Sequence, residues 1–171
     1  DLTAKAARTA ASNAGAKVVK TFAYEISGSE QQEIYDINPD LVLLCGGTDG
    51  GNKEVIIANA KHLVAIDRPF TTIVAGNKSA NDDIKAIFDE AGKDVVITAN
   101  VMPQFNKLNI EPARDAIRQL FISRIIEAKG LNILQTVQFP DLILCGNTNK
   151  SKQLQKSAIY RQTARYSSGN H

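Results

Sequence analysis

The chain has 171 residues, of which 43% are apolar and 22% charged, and its net charge is +2. That length suffices for a domain burying roughly 70% of its unfolded surface. The small charge, the lack of a basic stripe with aromatics, and the absence of any apolar run near the roughly 20 residues of a membrane span argue against nucleic-acid and membrane partners.

Asp1 to Ala14 reads as a helix capped by Asp1 or Thr3, with Ala4, Ala7, Ala11 and Ala14 on one face. An alanine face permits close approach to a sheet, and Gly15 suits the C-terminal cap. Val18 to Ile26 is a strand candidate. Ser29-Glu30-Gln31-Gln32 has the capping-box pattern and predicts a short helix to about Ile37. Asn38-Pro39-Asp40 then turns the chain into Leu41-Val42-Leu43-Leu44-Cys45, an apolar run of the length of a strand buried on both faces.

This run breaks into Gly46-Gly47-Thr48-Asp49-Gly50-Gly51-Asn52, and an amphipathic helix follows from Lys53 to Val64. Strand, glycine loop and helix together place backbone N–H groups at the carboxyl edge of a parallel sheet. The next strand is Thr71 to Ala75, ending in Gly76-Asn77. Ser79-Ala80-Asn81-Asp82 can cap a helix whose Ile84, Ile87, Phe88 and Ala91 recur at helical spacing. Asp94 to Thr98 is a fourth strand, ending in Ala99-Asn100. Pro112 opens the longest helix, which runs to about Lys129 with a stripe of Ile117, Leu120, Phe121, Ile125 and Ala128.

Alternating strands and helices predict a three-layer α/β fold with a parallel sheet and Rossmann-like alternation. The predicted α/β domain is 1–131, with 132–171 a tail of uncertain structure. In that tail the single apolar run is Leu142-Ile143-Leu144-Cys145. Pro140 to Lys150 echoes Pro39 to Lys53 with residues missing, a likeness that chance explains more readily than an internal repeat. The start at Asp1, with Met102 the one methionine, reads as a piece of a longer protein.

The glycine loop is not a dinucleotide fingerprint, because Thr48 stands where the second glycine belongs, and no Gly-Lys-Ser/Thr makes it a Walker loop. Gly76-Asn77-Lys78-Ser79 misses that spacing too. What the loop offers is an anion or ligand site made by Gly46, Gly47, Thr48, Asp49, Gly50, Gly51, Asn52 and Lys53, with N–H groups from Gly50 to Glu54 expected to be free. Asp49 reads first as a cap of the following helix, shared with Asn52, and second as an acceptor or a partner of water-held Mg²⁺. His62 reads as a surface or satisfied histidine. Cys45 and Cys145 read first as reduced buried thiols, which with the lack of a signal peptide fits a cytoplasmic setting, and second as a disulfide or metal pair. No metal-ligand cluster or catalytic triad is spelled out.

The runs PDLVLLCGGTDGGNKEVIIANAKHL, DLTAKAARTAASNAGAKV, TIVAGNKSANDDI and VMPQFNKLNIEPARDAIRQLFISRIIEAKGL resemble the MutL/GlmL family, over about residues 1 to 131. That family is distinct from the mismatch-repair protein of similar name. The resemblance implies an accessory, chaperone-like or reactivating role beside coenzyme-B12-dependent glutamate mutase (methylaspartate mutase), with the mutase subunits as partners. It implies kinship with the actin, Hsp70 and sugar-kinase ATPases, which makes ATP a candidate cofactor of the full-length protein. The phosphate motifs of that superfamily, Asp-x-Gly-x-Thr and Asp-x-Gly-Gly, are missing from this chain, so no cofactor is expected in this fragment. Residues 132–171 do not resemble the family. The reading leans away from catalysis. A nucleotide- or phosphate-binding portion of such an ATPase and a free-standing small α/β enzyme are the alternatives.

Overall fold

A computed structural model describes residues 2–129 and 141–147, with side chains for residues 2–123 and 141–146. Its elements are α1 (Leu2–Asn13), β1 (Lys17–Ala23), α2 (Gly28–Ile37), β2 (Leu41–Gly46), α3 (Glu54–Val64), β3 (Thr71–Val74), a 3-10 turn (Lys78–Ala80), α4 (Asn81–Glu90), β4 (Val95–Ile97), α5 (Glu111–Lys129) and β5 (Asp141–Asn147). The five strands form one sheet in the order β1-β5-β2-β3-β4, and every pairing is parallel. The fold is therefore a three-layer α/β fold, as the alternation predicts.

β2 is buried at every position because it has neighbours on both sides and helices on both faces. Leu41, Leu43 and Cys45 enter one apolar cluster with α1 and with Ala113 and Ile117 of α5. Val42 and Leu44 enter the other, with Ile34 of α2, Ile56 and Leu63 of α3, and Ile84 and Phe88 of α4. The first face is narrow: Ala6, Ala7, Ala10 and Ala11 are fully buried. The buried stripe of α1 runs through Thr3, Ala6, Ala7, Ala10 and Ala11. Ala4 is only half-buried, since the 3.6-residue period carries the stripe to one side of it. Thr3 lies inside the helix, its hydroxyl 3.8 Å from Met102 Sδ, and so is not a cap. Asp1 lies outside the described residues. At the other end Gly15 takes φ 87° and Ala16 N–H returns to Ala11 O at 2.8 Å.

Other boundaries shift for local reasons. β1 ends at Ala23 because Tyr24 takes φ 66° and leaves the extended region. The capping box of α2 uses Ser27 and Glu30, not Ser29 and Gln32: Glu30 N–H donates to Ser27 Oγ, and Ser27 N–H donates to the Glu30 carboxylate. The 3-10 turn at Lys78–Ala80 begins before α4 and is capped by Asn77, whose side chain accepts from Ser79 N–H. Ala91 is exposed, because α4 has already ended at Glu90. In α5 Ile117 is buried while Leu120 and Phe121 are half-buried, and Ala113 joins the core as well. The side chains of Ile125 and Ala128 lie outside those described.

The largest departure from the sequence reading is β5. The run Leu142–Cys145, set apart in the tail, is buried and sits between β1 and β2. Leu41 faces Leu142, Val42 faces Ile143 and Leu43 faces Leu144. The echo between the two stretches, read above as chance, is thus also the register in which the two strands pair. The remainder of 132–171 lies outside the described residues.

Candidate functional site

The loops that follow β2, β3 and β4 meet at the carboxyl edge of the sheet. Three buried or half-buried polar side chains join them. Asn77, fully buried, follows β3 and faces the glycine loop after β2. Its Oδ1 accepts from Gly50 N–H at 3.0 Å and Ser79 N–H at 2.9 Å, and its Nδ2 donates to Gly51 O at 2.9 Å and Asn52 O at 3.2 Å. Asn100, 3% exposed, follows β4. Its Nδ2 donates to Gly47 O at 2.9 Å and to Asp49 Oδ1 at 3.1 Å, and its Oδ1 accepts from Met102 N–H at 3.0 Å. Asp49 Oδ1 also accepts from Lys78 N–H at 3.0 Å. Asp49 therefore bridges loops and does not cap α3.

Two glycines make this approach feasible. At Gly76 a Cβ would lie 2.4 Å from Ile56 Cδ1 and 2.8 Å from Gly46 N, so β2, β3 and α3 close up only because no side chain intervenes. Gly47 takes φ 72°, and a Cβ there would meet Asn52 O at 2.5 Å.

The expectation of free N–H groups from Gly50 to Glu54 is corrected at three positions. Gly50 N–H is held by Asn77, Gly51 N–H by Thr48 O at 2.9 Å, and Glu54 N–H by Asn52 Oδ1 at 3.2 Å. The loop spends them on its own fold. Among the described residues the N–H groups of Asn52 and Lys53 meet no acceptor, and they stand at the start of α3, where the helix dipole favours an anion. The Lys53 ammonium is held 3.0 Å from Asp83 Oδ2 at an exposed rim. Sequence reasoning placed the loop but missed Asn77 and Asn100. The signal was the pair Gly76-Asn77 and Ala99-Asn100, a small residue followed by asparagine at two successive strand ends.

The other singled-out groups have structural roles. His62 Nε2 lies 3.2 Å from Glu25 Oε1, and its Nδ1 lies 3.3 Å from Gln31 Nε2, so both ring nitrogens are occupied. Cys45 and Cys145 are free and buried, and enter opposite faces of the sheet. Burial pushes both thiols well above the ordinary thiol range, and for Cys145 the nearby Cys45 and Glu30 add to it. Among the described residues no group of His, Cys, Asp and Glu is placed to hold a metal, and no helix is long and apolar enough to cross a membrane.

The fold and this edge define a parallel α/β domain with its loops drawn together where such sheets present ligand sites. The chain belongs to the MutL family, whose model, described as MutL protein, matches residues 1–145. The match runs past residue 131 and takes in the apolar run of β5, which the resemblance read from the sequence left out. The chain is similar to Protein MutL of Clostridium tetanomorphum, with 49% identity over 132 residues, covering 77% of this chain and 29% of the relative. It thus spans less than a third of that relative's length. No solved structure matches it.

Proposed function

We propose that this chain is the α/β portion of an accessory protein that serves adenosylcobalamin-dependent glutamate mutase as a chaperone-like or reactivating factor, with the mutase subunits as its partners. Membership of the MutL family carries this reading. The site supports a non-catalytic role. At the carboxyl edge the buried amides of Asn77 and Asn100 are spent on backbone groups of the loops and on Asp49, and His62 has both nitrogens engaged. A cytoplasmic setting fits the two free thiols.

Co-purification tests the reading. The tagged chain, mixed with purified mutase subunits, is expected to retain them. Loss of the subunits under conditions where the chain stays folded would remove the mutase from the account.

The runner-up is a phosphate-binding piece of an ATPase, with ATP as the ligand of the full-length protein. Its support is the N–H pair at Asn52 and Lys53 in the loop Gly46 to Lys53. Against it, three of the five N–H groups from Gly50 to Glu54 are already taken. Calorimetry with MgATP is expected to show no binding to this chain. A micromolar dissociation constant, about −8 kcal/mol, would put the ATPase reading first.

A further inference from the structure

Asp49 touches all three loops. It belongs to the glycine loop, its Oδ1 accepts from Lys78 N–H of the loop after β3, and the same oxygen accepts from Asn100 Nδ2 of the loop after β4. Its own N–H donates to Pro103 O at 2.9 Å. The loop after β4 is thus tied to Asp49 twice.

Beyond Pro103 that loop makes a tight turn. Lys107 N–H returns to Gln104 O at 3.0 Å, and Asn106 takes φ 61°. Phe105 at the tip is 72% exposed and Leu108 is 46% exposed. Val101 and Met102 are buried at the base, but among the described residues the tip has no comparable apolar anchor. Hydrogen bonds at the base therefore set where the turn stands. They run from Val101 N–H to Ala75 O, from Met102 N–H to Asn100 Oδ1, and from Asn109 N–H to Val101 O, besides the two to Asp49. Only the bond from Asn100 ends on a carboxylate, and hydrogen bonds to a charged acceptor are stronger than those between neutral groups, so it is the strongest single tie in this set.

We propose that Asp49 is a clasp coupling the glycine loop to the Phe105 turn, so that drawing its carboxylate away from Lys78 and Asn100 loosens the turn and leaves it tied to Asp49 by the Pro103 bond alone. The two ends of the coupling are joined by a single side chain and one backbone bond. No displacement of the sheet is needed to transmit it.

Amide hydrogen exchange on the full chain tests this. The readouts are the bonded amides of Val101, Met102, Lys107 and Asn109, with Leu43 and Ile73 in the sheet as controls. In Asp49→Ala the four loop amides are expected to exchange about ten-fold faster or more, while the controls change by less than about two-fold. In Asp49→Asn an oxygen remains for both donors, and exchange stays within about three-fold of wild type. Equal acceleration of loop and controls in Asp49→Ala, or none in the loop, overturns the proposal.

Lys78→Pro provides a gentler cut. It deletes the N–H that Asp49 accepts, together with an exposed lysine side chain. Asn77 before it has φ −52° and ψ 114°, a conformation that precedes proline without clash, and proline suits the first position of a helical turn. The four loop amides should accelerate by less than in Asp49→Ala. Should Asp49→Ala not fold, this variant decides, and unchanged loop exchange in it overturns the clasp.

Discussion

Around β2 the sheet is packed from both sides by apolar groups, with Leu41 and Leu43 against one helical layer and Val42 and Leu44 against the other. A few residues further along the same chain, from Gly47 to Asn52, asparagine amides hold the backbone instead. The two regions adjoin, yet they answer to different physics. Burial is non-directional and scales with area, so the interior is sensitive to volume. A buried amide works only when each donor faces an acceptor, so the edge is sensitive to chemistry at constant volume.

The interior should give the largest effect. Phe88 is 1% exposed in the cluster under α3 and α4. Phe88→Ala is expected to destabilise the chain by about 3–5 kcal/mol, seen as a lower denaturation midpoint. Phe88→Leu, which keeps most of the volume, should cost less than half as much. Equal costs for the two would mean that the site does not sense volume, and the contrast with the edge would fail.

At the edge the expected loss is smaller and has a different signature. Asn77→Ala strips partners from Gly50 and Ser79 N–H and from the Gly51 and Asn52 carbonyls, for about 1–3 kcal/mol. Asn77→Asp has almost the same shape, and it keeps acceptors for the two N–H groups. It also turns a carboxylate oxygen toward the two carbonyls that Nδ2 now serves. Asn77→Asp should therefore be less stable than wild type at neutral pH. Denaturant titration that finds Asn77→Asp as stable as wild type would show that the donor half of the amide contributes nothing.

How much of this could be read beforehand follows the same division. The interior was legible: the unbroken apolar run Leu41–Cys45 announced a strand with two covered faces, and Ile84 with Phe88 announced the buried stripe of α4. The alanines of α1 were legible as a face, though its phase was misplaced at Ala4. The edge was half legible. Its glycine loop stood out, but nothing in a linear sequence says that Asn77 crosses to Gly50 and Asn52, because those bonds join residues 25 to 27 positions apart. The place of β5 was illegible for a related reason. Residues 142–145 are a short apolar run set among polar residues, and only the vacancy between β1 and β2, a property of the assembled sheet, gives that run a position.

The smallest expected effect lies at the rim of the edge, and it sharpens the comparison by marking where the polar network stops mattering. Lys53 precedes α3 without a side-chain cap bond and pairs with Asp83 at 3.0 Å, their side chains 49% and 52% exposed. Two terms oppose each other there. An exposed ion pair of this kind is worth about 0.2–1 kcal/mol. A cation at a helix N-terminus faces the positive end of the dipole, which costs a similar 0.3–1 kcal/mol or so. Lys53→Ala removes both, so the stability change should fall within about 0.5 kcal/mol of zero. Asp83→Ala removes the pair and leaves the cation against the dipole, so it should be the more damaging of the two. Salt separates the terms further. At 1 M the screening length shrinks to about 3 Å, and the difference between the two variants should shrink with it. A double-mutant cycle across Lys53 and Asp83 that returns more than about 1 kcal/mol would place this pair among the buried contacts of the edge, against the exposure of both side chains.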